Sequence, residues 1–289
     1  MPELPEVETI ARQLRGLVVG RTVAGFRSEW HRLTEPEPAA SIAGRLRGRS
    51  VAGVRRRGKL VVLDLDDGEA LVVSLRMTGQ LLFHPAGNGP AHPYRRAYIA
   101  FADGSGLEFA DTRKFGRMAL VEAAALAARA TRRRAGDPLH SHLGIEPLSR
   151  AFTVAWLRSF LRLRGRSAIK PLLLDQTGIA GIGNIYAIEA LWRARIHPLR
   201  KAGSLHGEEV ERLHEALRWA LRKGIRFGGA SRRDYRDARG EEGRMQQEFE
   251  VYDRAGEPCP RCGTEIRRTV VGGRGTFHCP RCQRAPKSH

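Results

Sequence analysis

The apolar positions of this chain change from a helical spacing to a strand spacing about fifty residues from its start. Val7, Ile10 and Leu14 recur at intervals of three or four, which predicts a helix that begins near Pro5. Short continuous or alternating apolar runs then follow, separated by tight turns. These runs span residues 60–65, 70–75, 98–101, 107–110 and 118–121. They predict an antiparallel sandwich or barrel, covered by the first helix and by another near 123–129.

The second half of the chain returns to helical spacing. A polar, basic stretch over 130–148 precedes it, and Ser149 is suited to cap a helix that carries Leu157 and Leu161. A regular apolar face predicts a long helix over 208–227. We therefore expect an α+β protein. Its predicted parts are an N-terminal antiparallel β-sandwich domain with flanking helices (1–135), a linker (136–150), a helical domain (151–245) and a cysteine-containing module (246–289).

The charge of the chain indicates a polyanionic partner. Lysine and arginine total 50 against 31 acidic residues, which gives a formal net charge of +19. Nucleic acid is the first candidate partner and an acidic membrane surface the second. No apolar run approaches the roughly 20 residues that span a bilayer, and the first residues include acids without an apolar signal region. We expect a soluble cytoplasmic protein.

The first residues carry candidate chemistry. If Met1 is removed, Pro2 becomes a terminal secondary amine whose ordinary pKa is about 8, and the positive end of the following helix lowers that pKa further. Glu3 lies beside the amine. An amine that attacks carbon next to a carboxyl group that moves protons is a Schiff-base arrangement. The alternative is an ordinary capped helix with acidic residues in its first turn.

Three places in the predicted sheet region admit a nucleic-acid role. The basic run 55–59, which ends at Lys59, can contact phosphates or form a solvated charge run. Met77 lies just before a glycine turn, where it can project or join the core. In the run 111–117, Phe115 follows Arg113 and precedes a glycine, so it can stack in DNA or anchor a loop.

A glycine-rich turn over 178–183 leads into a helix that begins at Asn184. A helix N-terminus behind small residues can approach a phosphate closely, and Arg166 and Lys170 just before the turn are candidate phosphate ligands. No strand precedes the turn, so a dinucleotide-binding interpretation fails. The charged stretch 230–245 is either a disordered linker or a functional loop.

All four cysteines lie near the end of the chain in two Cys-x-x-Cys pairs with 16 residues between them. This spacing predicts one structural zinc ion, with disulfide or redox chemistry as the weaker alternative in a cytoplasmic protein. The predicted ligands are Cys259, Cys262, Cys279 and Cys282. Between the pairs, 264–271 and 276–278 can form a hairpin whose tip presents Arg274 unpaired, either as a contact or as a solvated turn residue.

The run Pro2 to Glu8, the glycine string 178–186 and the cysteine module resemble the bacterial formamidopyrimidine-DNA glycosylases, which excise oxidised purines such as 8-oxoguanine. The resemblance covers nearly the whole chain, with the motifs in family order. It implies a helix-two-turn-helix in the helical domain and a zinc-finger β-hairpin after it. It also implies that the segment 229–235, with 240–241, closes over the extruded base.

The resemblance assigns roles to individual residues. Pro2 attacks C1′ of the damaged nucleotide, Glu3 moves protons, and Lys59 and Arg274 assist elimination. Four further residues contact DNA: Met77, Arg113 and Phe115 fill the void left by the extruded base, and Asn184 binds a phosphate. The sequence also departs from the family pattern, because Ser74 and Tyr94 stand where many members carry histidine. Tyr94 therefore occupies a DNA-contact position with different chemistry.

Together these observations predict a bifunctional DNA glycosylase and abasic-site lyase that acts on oxidised purines in double-stranded DNA. We expect a monomer in the bacterial cytoplasm, associated with the nucleoid and not with a membrane. The alternatives are the pyrimidine-preferring relative endonuclease VIII and a non-catalytic zinc-containing DNA-binding protein.

Overall fold

The computed structural model describes residues 2–87, 91–127 and 142–286, which fall into two compact units. The first unit comprises the chain up to residue 142 together with 227–244. The second comprises 143–226 and the chain from 245 onward. Within the described residues, every helix is too short or too polar to cross a lipid bilayer.

In its described residues, the first unit contains two four-stranded antiparallel sheets and two α-helices. One sheet has the order β1-β6-β7-β5 and the other β2-β3-β4-β8. The elements are α1 (Leu4–Val18), β1 (Val23–Ser28), α2 (Ala39–Leu46), β2 (Val51–Arg57), β3 (Leu60–Leu65), β4 (Glu69–Ser74), β5 (Gln80–His84), β6 (Arg95–Phe101), β7 (Gly106–Ala110) and β8 (Arg117–Glu122).

Both sheets and both helices contribute to one hydrophobic core. Its members include Ile10 and Leu14 of α1, Leu63 and Val73 of one sheet, and Phe109 of the other. Because each sheet buries one face against this shared core, the unit is a β-sandwich with flanking helices, which confirms the predicted fold class.

Sequence spacing did not reveal β1, α2 and β5. Each buries only one or two apolar residues: Val23 and Phe26 in β1, Ile42 and Leu46 in α2, and Leu81 in β5. Two positions are too few to establish a period. The helix predicted near 123–129 is a 3-10 turn over Ala123–Ala127, and residues 128–129 lie outside the described residues.

The second unit is helical and ends in a two-stranded hairpin. Its elements are α3 (Val154–Leu163), α4 (Ile169–Leu174), α5 (Asn184–Arg193), α6 (Gly207–Arg226), β9 (Arg267–Val271) and β10 (Arg274–His278). Every residue of α5 from Ile185 to Trp192 is buried, so this helix is the centre of the unit.

Two details differ from the sequence-based expectations. Thr153, not Ser149, caps α3, because its side chain accepts a hydrogen bond from Trp156 N while the Ser149 hydroxyl donates to Glu146 O. The segment 227–244 belongs to the first unit and not to the helical domain, because it pairs with α1 and β5 there. Of the linker expected at 136–150, residues 136–141 lie outside the described residues.

The position of Arg274 also differs from the expectation, which placed it unpaired in a hairpin tip over residues 272–275. The turn consists of Gly272 and Gly273 alone, both with positive φ (60° and 70°), which suits a two-residue hairpin turn. Arg274 is therefore the first residue of β10, and its backbone is paired with Val271, although its side chain is exposed.

Candidate active site and nucleic-acid interface

The predicted nucleophile lies at the start of α1. Pro2 and Glu3 are both buried, and Glu3 is the N-cap residue of the helix. The Glu3 backbone N–H donates to Oε2 of Glu6 at 2.8 Å, which fixes the chain direction directly after Pro2. The N-cap residue Glu3, which is also the predicted proton carrier, is thus held by a buried carboxylate one turn away.

Glu6 also binds the segment that the resemblance assigns to closure over the base. Ala230 N–H donates to its Oε1 at 2.8 Å, and the Tyr235 hydroxyl donates to the Gly228 carbonyl at 3.0 Å. Gly229 adopts φ +82°, and a Cβ there would lie 2.7 Å from Cγ of Glu6, so only glycine fits. Burial, and then the carboxylates of Glu6 and Asp237, raise the pKa of Tyr235, which keeps the phenol protonated as a donor.

Lys59 lies in the two-residue turn between β2 and β3 and is half-buried. Arg56 fixes this turn against α1, because its guanidinium donates to Glu8 Oε2 and to the Gly58 carbonyl, each at 2.9 Å. Burial alone would raise the pKa of Glu8, but Arg12 and Arg56 lower it, so Glu8 remains a carboxylate partner. Arg56 of the basic run therefore holds the Lys59 turn in place.

Met77, Arg113 and Phe115 lie together although they are up to 38 positions apart in sequence. An Arg113 Nη1 lies 3.3 Å from the Met77 sulfur, and the Arg113 guanidinium lies over the Phe115 ring at 4.8 Å. Met77 is 41% exposed and Phe115 46% exposed. This exposed apolar and cationic cluster is suited to enter a gap in a base stack.

Strand register explains why the cluster forms. Among these strands the chain crosses from one sheet to the other three times, and the crossings between β4 and β5 and between β7 and β8 carry the cluster. Ser74 pairs with Arg117 in one sheet, and Gln80 pairs with Ala110 in the other. The loop between β4 and β5 therefore starts beside the end of the loop between β7 and β8 and ends beside its start. This places the two loops next to each other.

Asp111 organises both crossing loops and was not singled out from the sequence. It is 1% exposed, and its carboxylate accepts hydrogen bonds from the backbone N–H groups of Arg113 (3.1 Å), Phe115 (2.8 Å) and Gly116 (2.9 Å). The Thr78 hydroxyl of the other loop donates to the same carboxylate. An aspartate directly after a strand and before a glycine-terminated loop is the signal that could have identified it.

Tyr94 lies beside this arrangement. Its carbonyl accepts the Asp111 N–H at 3.0 Å, its ring is 45% exposed, and the Arg96 guanidinium lies 6.0 Å from the ring centre. Ser74, at the other departure from the family pattern, is buried at the end of β4.

In the second unit, Asn184 begins α5 and its Nδ2 donates to the Gly275 carbonyl at 3.0 Å. Lys170 is fully buried, and its Nζ donates to the Val271 carbonyl at 3.3 Å. Both side chains therefore support the hairpin on either side of Arg274. Arg166 is exposed in the turn before α4. The phosphate-binding roles of these residues stay predictions, and Lys170 has the position least open to a ligand.

The four cysteines converge at the base of the hairpin. Their sulfur atoms all lie within 4.8 Å of one another, and none of the four is in a disulfide. Cys262 and Cys279 sulfurs are 3.5 Å apart, and those of Cys259 and Cys282 are 4.0 Å apart. Tetrahedral zinc with Zn–S bonds of about 2.3 Å places sulfurs about 3.8 Å apart, so the donor set fits zinc.

Comparison with known proteins identifies the family. Profiles of the formamidopyrimidine-DNA glycosylase N-terminal domain, its H2TH domain, and the zinc finger found in FPG and IleRS match residues 1–118, 143–236 and 256–285. A formamidopyrimidine-DNA glycosylase of Roseiflexus sp. (strain RS-1) is 49% identical over 98% of this chain and 100% of its own length. The chain belongs to the formamidopyrimidine-DNA glycosylase family. Its resemblance to that family is thereby confirmed.

Other members of the family agree in length and in fold. The formamidopyrimidine-DNA glycosylase of Geobacillus kaustophilus is 44% identical over 98% of this chain. Lactococcus lactis Fpg in complex with DNA containing an abasic site has a TM-score of 0.87 and 35% identity, covering 98% of this chain and 100% of that chain. A mutant of the same glycosylase with DNA containing Fapy-dG matches equally well. These matches do not favour the endonuclease VIII relative or a non-catalytic DNA-binding protein.

Proposed function

We propose that this member of the formamidopyrimidine-DNA glycosylase family excises oxidised purines from double-stranded DNA and then cuts the strand at the resulting abasic site. The arrangement at the start of α1 supports the proposal most directly. There Pro2 and Glu3 lie together, and buried Glu6 holds both the Glu3 backbone and residue 230 of the predicted closing segment.

In the proposed reaction, the Pro2 nitrogen attacks C1′ of the damaged nucleotide and the bond from C1′ to the base breaks. The departing base takes a proton, and the sugar ring opens as Pro2 and C1′ form an iminium ion, with Glu3 moving protons at the deoxyribose. Loss of a proton from C2′ expels the 3′ phosphate, and a second elimination expels the 5′ phosphate. Lys59 and Arg274 assist these steps in the proposal.

Extrusion of the base requires a side chain to fill the vacated space. We assign this to Met77, Arg113 and Phe115, whose exposed cluster has the required apolar and cationic character. Asn184, Arg166, Lys170 and Tyr94 are proposed DNA contacts. One structural zinc ion on the four cysteines holds the hairpin that carries Arg274. We further propose that the protein acts as a monomer in the bacterial cytoplasm, at the nucleoid.

Trapping with borohydride tests the mechanism. Borohydride reduces an iminium ion to a stable amine, so incubation with an 8-oxoguanine duplex should yield a covalent protein–DNA adduct at the N-terminal peptide. Glu3→Gln should keep DNA binding and slow turnover, and Lys59→Gln should leave the site of attachment unchanged. A protein with an N-terminal extension should bind DNA without forming the adduct. Full cleavage by a chain that retains Met1 in mass spectrometry would refute the role of Pro2.

A further inference from the structure

An arginine-lined groove lies at the end of the second unit that holds the cysteines. It consists of two adjoining cavities of about 520 Å³ and 540 Å³, which share Arg195 and Arg261 as lining residues. The first cavity is also lined by Arg200, Arg281 and Arg284. Trp219 of α6 lines the second. This concentration of guanidinium groups goes beyond what the proposed reaction uses.

Several of these arginines have no internal charge to balance them. Arg200 pairs with Glu209, and Arg261 lies over the Trp192 ring at 4.2 Å. Among the residues that the structure describes, the exposed side chains of Arg195, Arg281 and Arg284 have no carboxylate partner. A zinc ion with four thiolates would add negative charge nearby, yet the groove would still keep an excess of positive charge.

The backbone at Arg195 is strained. Its φ is +60°, a conformation that costs a non-glycine residue about 1 kcal/mol or more. The turn nevertheless positions this side chain where the two cavities meet. Strain of this kind is often retained where a side chain must point in a particular direction.

The groove lies away from the end of the unit that faces DNA in the proposed function. Asn184 at the start of α5 contacts Gly275 near the hairpin turn. At the other end of α5, Trp192 Nε1 lies 3.4 Å from the Cys259 sulfur, and Arg261 donates to the Trp192 carbonyl. A helix of this length separates its ends by about 15 Å. A ligand in the groove would therefore leave Asn184 and Arg274 open.

We propose that this groove binds an acidic, extended peptide segment of a partner protein. Arginine forks bind planar carboxylates in two-point contacts, and the concave cavities fit side chains better than the convex surface of a duplex. Stacking of exposed nucleic-acid bases is disfavoured, because Arg193 and Lys223 already lie over the Trp219 ring at 3.9 Å and 5.2 Å.

Fluorescence anisotropy with a labelled octa-aspartate peptide tests the proposal on the full-length, zinc-loaded protein. We expect saturable binding at about 0.1 M salt, weakened about tenfold by the double substitution Arg195→Asn and Arg284→Gln. Neither residue lies between two cysteine ligands, and asparagine tolerates the positive φ at position 195. The matched control, Arg32→Gln with Arg47→Gln, removes the same charge from exposed sites of the first unit and should change affinity less than about twofold.

Two further measurements separate a peptide site from a DNA site. The groove variant should cleave lesion-containing DNA at the wild-type rate, and the peptide should remain bound when a duplex with a stable abasic-site analogue saturates the protein. The proposal is overturned if the wild-type protein shows no saturable binding or if both double variants lose affinity equally. It is also overturned if DNA displaces the peptide and the groove variant weakens DNA binding, which would assign the groove to DNA phosphates.

Discussion

Substitution of Asp111 offers a direct test of how the void-filling cluster is held. Its carboxylate accepts four hydrogen bonds, three from the backbone of the loop that carries Arg113 and Phe115, and one from Thr78 next to Met77. Asp111 itself is buried and does not enter the cluster. We therefore expect it to act as a positioning residue, through the conformation of the two loops.

The structure gives the size of the effect. In Asp111→Ala, water can satisfy the N–H groups of exposed Arg113 and Phe115, but Thr78 and Gly116 are buried and lose their acceptor. Two buried donors left without a partner cost about 3 kcal/mol together, or about 100-fold in the population of the ordered loops. In Asp111→Asn, the amide oxygen can keep one pair of contacts, and the Thr78 hydroxyl can accept a hydrogen bond instead of donating one. We therefore expect a loss of about tenfold in the population of the ordered loops.

Single-turnover kinetics on two substrates measure this effect. Excision of 8-oxoguanine from a duplex requires extrusion of a stacked, paired base, whereas a preformed abasic site is extruded at lower cost. Asp111→Ala should lose about 100-fold on the lesion and only a few-fold at the abasic site. Asp103→Asn is the matched control, because Asp103 holds the turn between β6 and β7 through the Ser105 N–H, away from the crossing loops.

Two results would refute this reasoning. Equal losses on both substrates would show that Asp111 supports the fold generally and not the cluster. The same conclusion would follow if Asp111→Ala caused its full loss in a Met77→Ala, Phe115→Ala background, because a residue that acts through those side chains should have little further effect there.

The remaining predictions concern the metal, the closing segment and α5. Freshly purified protein should contain one zinc ion per chain, and its removal by a chelator should melt the hairpin and weaken DNA binding; active protein with clearly less zinc would contradict this. Tyr235→Phe should lower the free energy of unfolding by about 1–2 kcal/mol in urea titrations at neutral pH. The raised pKa of Tyr235 means that the folded state holds the phenol proton more tightly than the unfolded state. The free energy of unfolding of the wild-type protein should therefore fall above about pH 10, and that of the variant should fall less. Glu189→Gln should cost about 1–3 kcal/mol in the same assay, because Glu189 accepts the N–H groups of residues 250–252 and an amide cannot accept all three. An unchanged free energy of unfolding in either variant would show that water replaces the hydrogen bonds of the substituted side chain.

The sequence alone determined the features that depend on local spacing. The apolar period predicted the start of α1 and both bounds of β3 and α6 to within a residue or two, since a helix or strand with a buried face repeats its apolar residues at a fixed interval. The spacing of the two Cys-x-x-Cys pairs predicted the cysteine cluster, because four sulfurs must reach one ion. The resemblance carried by the run from Pro2 to Glu8 gave the family.

Only the tertiary structure decided which distant residues meet. Strand register, not sequence distance, placed Met77 beside Arg113 and gave Asp111 its role between two loops. Tertiary contacts also moved the segment 227–244 to the first unit, where Glu6 accepts the Ala230 N–H. Lys170 has the positive charge of a phosphate ligand, but it is buried and donates to the Val271 carbonyl. These contacts form because buried polar groups need hydrogen-bond partners, and the partners come from distant parts of the folded chain. A local sequence pattern does not contain that information.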